Sequence, residues 1–339
     1  MTQRNNRCLG TGWIRRRPLQ WTRTRIGTWN IKSLNGKERE VIEEMEKYKV
    51  NILGLSEIKR KGCGERKLDK GYVLKYSGIN IESRAKEGVG FIWDEETEKK
   101  CVRWDGINSR IITADFQLEE TITIIQIYAP TEDELQNQKE SFYDNLNKTF
   151  DEAQRRSRHV LIIGDWNAQI GRGRQQKGTI PGIIGNHLNV GNRNRNGKMM
   201  LEFCIQNQIR IGNTYFKHKE KEQITYEDLA RDVRSTIDFI TYTTHTKYAI
   251  LNVKTIRNAE LSTDHYLLIA DTRFYIRKEK QNNKNYYKID IQKLEDPNKK
   301  KEYQDLIKLK IEQTKIIEED LNGKWKLIRE NILDAAEKI

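Results

Sequence analysis

Eight short runs rich in Ile, Val, Thr and aromatic residues constrain this chain more than any other feature. They fall at residues 25–31, 51–57, 88–93, 110–116, 121–128, 160–164, 236–242 and 267–274. Each has the length of a strand and is bounded by polar or turn-forming residues. Several are apolar on both faces, as in Val160-Leu161-Ile162-Ile163, which a strand tolerates only when both faces are covered. The covering layers are legible too. Val41, Ile42, Met45 and Tyr48 make one helical stripe, and Phe142, Leu146, Phe150 and Ala153 make a second. Residues 197–208 make a third, with Met200, Leu201, Phe203 and Cys204 inward. Strands interleaved with helices imply an α/β (α+β) class with helices on the sheet faces.

Hydrophobic residues are 36% of the chain and charged residues 33%, so the core is concentrated in those runs. Four zones follow. Residues 1–24 are basic, include Trp13 and Trp21, and read as an arm that is disordered alone. Residues 25–276 hold the strands. Residues 277–297 read as a polar linker, and 298–339 as a charged helical tail with stripes at Tyr303, Leu306, Ile307 and at Trp325, Ile328, Ile332. The net charge of +13 favours a polyanionic partner, nucleic acid before an anionic membrane surface. No apolar run approaches the ~18 residues of a membrane span. Cys8, Cys63, Cys101 and Cys204 form no CxxC pattern, which argues against a disulfide framework or a zinc site and for an intracellular setting. A nuclear location would suit a DNA partner.

The polar chemistry gathers where the apolar runs end. Asn30, Glu57, Tyr128, Asp165 with Asn167, Asp238, and the pair Asp264-His265 each sit at the rim of a strand. Any one of them reads equally well as a turn residue or a helix cap. Six such positions in order point to a ligand site, because sites on open α/β sheets collect at strand ends. Carboxylate and amide oxygens are also the donors that a hard cation such as Mg²⁺ prefers.

The order Thr28-Trp29-Asn30, Ser56-Glu57, Ile127-Tyr128-Ala129-Pro130, Gly164-Asp165-Trp166-Asn167-Ala168, Ile237-Asp238-Phe239-Ile240 and Thr263-Asp264-His265 resembles the endonuclease/exonuclease/phosphatase superfamily. That superfamily includes DNase I, AP endonucleases and the endonuclease domains of non-LTR retrotransposons. The likeness spans about residues 25–276. Asn196-Gly197-Lys198, Phe203-Cys204, Ile211-Gly212-Asn213-Thr214 and Phe216 make it similar to LINE endonucleases of the RTE kind and to their host-encoded relatives, the craniofacial development protein 2-like proteins. The tail also resembles the segment before a reverse transcriptase, so a truncated or domesticated copy is the expectation.

The resemblance implies a DNase I-like four-layer sandwich of two packed β-sheets flanked by helices. It implies Mg²⁺, with Mn²⁺ as a substitute, and hydrolysis of DNA phosphodiesters by water. Glu57, Asn30 and Asp264 would serve the metal. Asp165 would orient or deprotonate the water, and Asn167 would fix the phosphate or that water. Asp238 would hold His265, which would face the scissile phosphate, and Tyr128 would donate its hydroxyl to a phosphate oxygen. Whether Asp165 or His265 is the base stays open at this point. Two other readings stay in view: a different phosphoesterase of the same superfamily, or a nucleic-acid-binding copy without turnover.

This chain departs from the superfamily pattern in three places. Lys32 stands where AP endonucleases often carry Asp. Thr225-Tyr226 replaces a Thr-Trp pair, and residues 227–234 lack the usual Pro-Asp-Gly turn. Between residues 168 and 198 there is no acid, but there are Arg172, Arg174, Lys177, Arg193, Arg195 and Lys198, a basic loop suited to backbone phosphates.

Overall fold

A computed structural model describes residues 21–82, 86–171, 182–187, 191–277 and 295–313, together with 328, 331, 332 and 335. It divides into two units, Met1–Glu279 and Lys280–Ile339. The first unit holds two large sheets. The seven-stranded sheet runs β14 (Ile250–Ile256), β15 (Leu267–Arg277), β1 (Trp21–Asn30), β2 (Ile52–Ser56), β5 (Val89–Trp93), β4 (Val73–Ser77), β3 (Cys63–Lys67). The six-stranded sheet runs β10 (Ile209–Ile211), β13 (Asp238–Thr243), β9 (His159–Asp165), β8 (Thr121–Tyr128), β7 (Ile111–Gln117), β6 (Cys101–Asn108). Both are mixed: β1 pairs parallel with β2, and β8 parallel with β9.

Three apolar layers make the sandwich. Between the sheets lie Phe91, Trp93, Phe116, Leu161, Ile163, Ile240 and Leu268, and the Trp93 and Phe116 rings meet edge-on at 5.1 Å. This inner layer covers one face of β2 and β5 and a layer outside the sheet covers the other, so both strands are buried along their whole length. Outside the larger sheet, α1 (Glu38–Tyr48) sets Val41, Ile42 and Met45 against Trp29, Leu53 and Ile269, and the one-turn α2 (Glu95–Glu98) follows β5. Outside the smaller sheet, α3 (Gln136–Arg156) and α4 (Arg195–Gln206) bury Phe142, Leu146, Phe150, Met200 and Phe203 against Ile125, Ile162 and Phe239. All three expected helical stripes pack as read, and the four-layer architecture follows from them.

One polar thread crosses the inner layer. Thr28 donates to Gln126 Oε1 at 3.0 Å, Gln126 Nε2 donates to Ser56 Oγ at 2.8 Å, and Ser56 donates to the Ile127 carbonyl at 3.0 Å. Gly54 makes room for it, since a Cβ there would lie 1.9 Å from Gln126 Oε1. Buried polar atoms that satisfy one another in this way fix how two otherwise greasy surfaces register.

The structure corrects the boundaries at several points. β1 begins at Trp21, so residues 21–24 belong to a strand rather than to the arm; Trp21 pairs with Arg277 and Thr22 with Ile276. The Thr-Arg alternation there is a strand signal, but only the distant partner makes it one. β3, β4, β6, β10 and β14 have no counterpart among the eight apolar runs. β3 and β6 are sheet edges; β3 is polar and mostly exposed and β6 is only half-buried, so neither carries the apolar signature of an inner strand. Residues 227–234 form a small hairpin, β11 (Tyr226–Asp228) with β12 (Val233–Ser235). In the second unit, α5 (Pro297–Gln313) opens on a proline, which suits the first helical position. Tyr303, Leu306 and Ile307 are half-buried on it. Residues 1–20 of the arm, 278–294 of the linker and Trp325 of the tail lie outside the described residues.

Candidate active site

The two parallel pairings bring the rim together. Asn30 lies level with Ser56, so Asn30 and Glu57 leave their strands at the same edge. Tyr128 lies level with Asp165, and Asp238 pairs across from Asp165. The segment before β15 is sewn to the end of β1: Trp29 Nε1 donates to the His265 carbonyl at 2.9 Å, and Thr263 Oγ1 donates to the Asn30 carbonyl at 2.8 Å. Residues scattered over more than two hundred positions of sequence therefore meet at one place.

The side chains form a continuous chain of contacts. Asn30 Nδ2 donates to Glu57 Oε1 and to Asp165 Oδ2, both at 2.9 Å. His265 Nδ1 lies 2.9 Å from Asp238 Oδ2, and Nε2 lies 4.0 Å from Asp165 Oδ2 and 3.9 Å from Asp264 Oδ1. Asn167 N donates to Asp165 Oδ1 at 2.8 Å, while its amide donates to the Ala129 carbonyl at 2.9 Å. Tyr128 lies close enough to Glu57 and Asp165 for both carboxylates to act on its phenol. Asn30, Asp165, Asp238 and His265 are all buried.

Burial and proximity set the charges. Burial pushes the Asp165 carboxyl up, and Asp238 pushes it further, against the pull of His265. For His265, burial pushes down, but the Asp238 carboxylate, then Asp165 and Asp264, outweigh it, so the imidazole is held in its charged form. Burial raises the Tyr128 phenol as well, so it stays a donor.

The donor set fits a hard divalent cation. Asp264 Oδ1 and Asp238 Oδ1 are buried with no hydrogen-bond partner among the described residues, and Glu57 offers a half-buried carboxylate next to Asn30. Asp165, Asp238 and His265 each bring one ligand atom within 4.8 Å of the others. In that trio, however, His265 Nδ1 is already committed to Asp238. Asn30 turns its amide nitrogen, not its oxygen, to the carboxylates; its Oδ1 accepts from Lys32 N at 3.1 Å.

Several neighbours were not read as site residues from sequence. Lys32 Nζ pairs with Asp264 Oδ2 at 2.5 Å, and Lys59 Nζ with Glu57 Oε2 at 3.6 Å. Lys37 Nζ ties the Ile31 carbonyl to the Ser262 carbonyl at 3.0 and 2.6 Å. Thr225 Oγ1 accepts from the amides of Ile237 and Asp238, both at 3.0 Å. The Tyr226 ring meets His265 edge-on at 5.0 Å. The hairpin of residues 226–235 thus backs the histidine directly: Tyr226 bridges to His265, and Glu227 N donates to the Asp264 carbonyl at 2.9 Å. Among the described residues eight non-glycine residues have left-handed φ, and four of them, Lys32, Glu57, Lys59 and Asn167, stand around this site. Such strain collects where function demands it.

Of the basic loop, Arg193, Arg195 and Lys198 are exposed, the first donating to the Ile170 carbonyl at 3.3 Å. Arg172, Arg174 and Lys177 lie outside the described residues.

Comparison with known proteins gives the family and the fold. The profile described as "Endonuclease/Exonuclease/phosphatase family" matches residues 27–265. Craniofacial development protein 2 of Bos taurus is 34% identical over 254 residues, covering 74% of this chain and 41% of that protein. Its counterpart in Tragulus javanicus is 32% identical over the same length. The chain spans about two fifths of the length of these relatives. Among solved structures, the Xenopus laevis APE2 catalytic domain superposes with a TM-score of 0.59 at 17% identity, covering 76% of this chain and 94% of that one. The endonuclease domain of TRAS1, a telomere-specific non-LTR retrotransposon, gives 0.53 at 14% identity, covering 76% and 100%. At such identities these two likenesses establish the fold alone.

Proposed function

Because the chain belongs to the endonuclease/exonuclease/phosphatase family, we propose that it is a divalent-metal-dependent endonuclease that hydrolyses phosphodiester bonds of DNA. The observation that carries the reading is the unbroken contact from Glu57 through Asn30 and Asp165 to His265 and Asp238. It supports the reading because a carboxylate suited to a cation, a buried carboxyl suited to a base and a charged imidazole stand side by side. Glu57, with Asn30 beside it and Asp264 Oδ1 near, would hold Mg²⁺ or Mn²⁺. When bound, the ion would supply Lewis acidity and positioning for the phosphate and the water.

The chain's own residues divide the remaining work. Asp165, pushed up from the usual carboxylate range, is suited to take a proton from water, because a base works best near the ambient pH. His265, held charged by Asp238, is suited to donate to the scissile phosphate rather than to act as the base. The water oxygen bonds to phosphorus as its proton passes to Asp165, the P–O3′ bond breaks, and the leaving oxygen takes a proton from solvent to give a 3′-hydroxyl. Asn167 and Tyr128 add donors for the phosphoryl oxygens; losing one such donor typically costs ~10²–10³ in rate. Exposed Arg193, Arg195 and Lys198, with Arg172, Arg174 and Lys177, would hold backbone phosphates.

The test is nicking of supercoiled plasmid. Mg²⁺ should support it, EDTA should abolish it, and Asp165→Ala should remove it. Nicking by Asp165→Ala at the wild-type rate would overturn the residue assignment. Tight DNA binding with no metal-dependent cleavage would replace the reading with a binding protein.

A further inference from the structure

We propose that Lys32 is a catalytic residue of this site, its ammonium serving where a second divalent ion would otherwise be needed, in contact with a non-bridging oxygen of the scissile phosphate. The inference rests on the phosphodiesterase reading above and deepens it.

Three observations carry it. First, Lys32 is built into the site rather than draped over it. Its backbone is left-handed at φ 55°, a strained choice for a residue with a side chain, and its N–H is fixed by Asn30 Oδ1 at 3.1 Å. The residue that bridges Glu57 to Asp165 thus also aims Lys32.

Second, the ammonium shares one carboxylate with the histidine. Asp264 Oδ2 takes Lys32 at 2.5 Å, and Oδ1 faces His265 Nε2 at 3.9 Å. Lys32 therefore stands one carboxylate away from the imidazolium. An ammonium has three donors, and Asp264 is the one acceptor found for it among the described residues. With its side chain 49% exposed, the other donors are open to an incoming anion.

Third, the seat of a second ion is already taken. Asp264 Oδ2 holds Lys32 at 2.5 Å, so a second divalent ion there would have to displace the lysine, and it would meet the positive charge of Lys37, Lys59 and His265 around the same rim. Asp264 Oδ2 is thereby the seat of the lysine, which leaves Glu57 and Asp264 Oδ1 to the one ion. Lys32 makes and breaks no bond and moves no proton: water attacks phosphorus, P–O3′ breaks, and Asp165 takes the proton. The ammonium lowers the cost of charge on the phosphoryl oxygens, as positioned donors do.

The experiment uses the full chain. Mn²⁺ titrated calorimetrically into the wild type without DNA should bind at one site, and into Lys32→Asp at two. Lys32→Met should nick about 10²–10³-fold more slowly in saturating Mg²⁺, while Lys32→Arg stays within about tenfold. In an Asp165→Asn background, adding Lys32→Met should flatten the salt dependence of duplex binding by about 0.9 in slope. Two Mn²⁺ sites in the wild type, or Lys32→Met nicking at the wild-type rate with an unchanged salt slope, would overturn the proposal. If the wild type nicks no DNA under any metal, the endonuclease reading falls by itself, and the Mn²⁺ stoichiometry and salt slope still decide the fate of Lys32. Thermal melts of the variants check folding, and should Lys32→Met melt early, the Arg and Asp variants carry the same comparison.

Discussion

Replacing Asp238 by Asn takes one negative charge from the centre of the site and leaves the shape almost intact. Asp238 Oδ2 lies 2.9 Å from His265 Nδ1, and the two side chains are 1% and 5% exposed. A hydrogen bond to a charged group contributes ~1.5–3 kcal/mol and a neutral one ~0.5–1.5. The exchange therefore removes about 1–2 kcal/mol of preference for the imidazolium, which lowers the His265 pKa by about one unit. The sign of the stability effect follows from the raised folded-state pKa. The contribution is fully present below the unfolded value near 6.5 and is lost as pH climbs through the folded value. The stability gap between wild type and Asp238→Asn should thus be widest in mild acid and shrink in alkali. NMR titration of the His265 ring, with urea unfolding at about pH 6 and about pH 9, reads both quantities. Plasmid nicking should fall on the order of 10²–10⁴-fold, the usual weight of a positioned acid–base group. An unchanged His265 titration, or a stability gap independent of pH, would refute the argument that Asp238 holds the charge.

Three further outcomes are expected. Gly54→Ala puts a Cβ 1.9 Å from Gln126 Oε1, so Gln126 must release Thr28 or Ser56; the urea midpoint should drop by roughly 1–3 kcal/mol of stability, and an unchanged midpoint would show that the thread is dispensable. The Glu227 carboxyl is held down at about 2 by the Tyr266 hydroxyl and then by Arg257 and Arg234, so it adds stability above the unfolded value of about 4.3 that fades as pH falls toward 2. Glu227→Gln should therefore be less stable than the wild type at neutral pH and converge with it in acid, read by chemical unfolding across that range. The double change Arg195→Ala, Lys198→Ala should flatten the salt dependence of DNA binding by about 0.9 per lost phosphate contact, and fluorescence anisotropy at several KCl concentrations would expose a loop that touches no phosphate.

Much of the fold was legible because its buried parts announce themselves locally. Runs such as Val160-Leu161-Ile162-Ile163 can only be inner strands, and stripes such as Phe142-Leu146-Phe150 can only be faces of helices. The edge strands were silent: Cys63–Lys67 pairs on one side and is mostly exposed, so nothing in its composition requires a sheet. The site was legible as an order of polar residues at strand ends, and the contacts joined those residues as a group. What sequence could not give was the partner of each. Lys32 read as a missing ligand, yet it fills the neighbouring charge position by pairing with Asp264. Thr225 looked like half of a motif, whereas its hydroxyl holds two amides at the start of β13. The hairpin after it had no turn signature, because contact with residues 264–266 supports it from outside.

The pairing of β1 with β15 has a consequence for synthesis. The ribosome delivers the N-terminal part first, so Asn30 and Glu57 emerge long before the residues they act with. Trp29 and Asn30 wait for partners 236 and 233 positions away. β1 gains its antiparallel neighbour only when residues 267–277 have cleared the exit tunnel, and contacts of such long sequence separation form late. A stalled or prematurely terminated nascent chain would carry the early carboxylate and amide without the late histidine. Such fragments would hold only half of the candidate site, and its assembly would come at a single step near the end of translation of this unit.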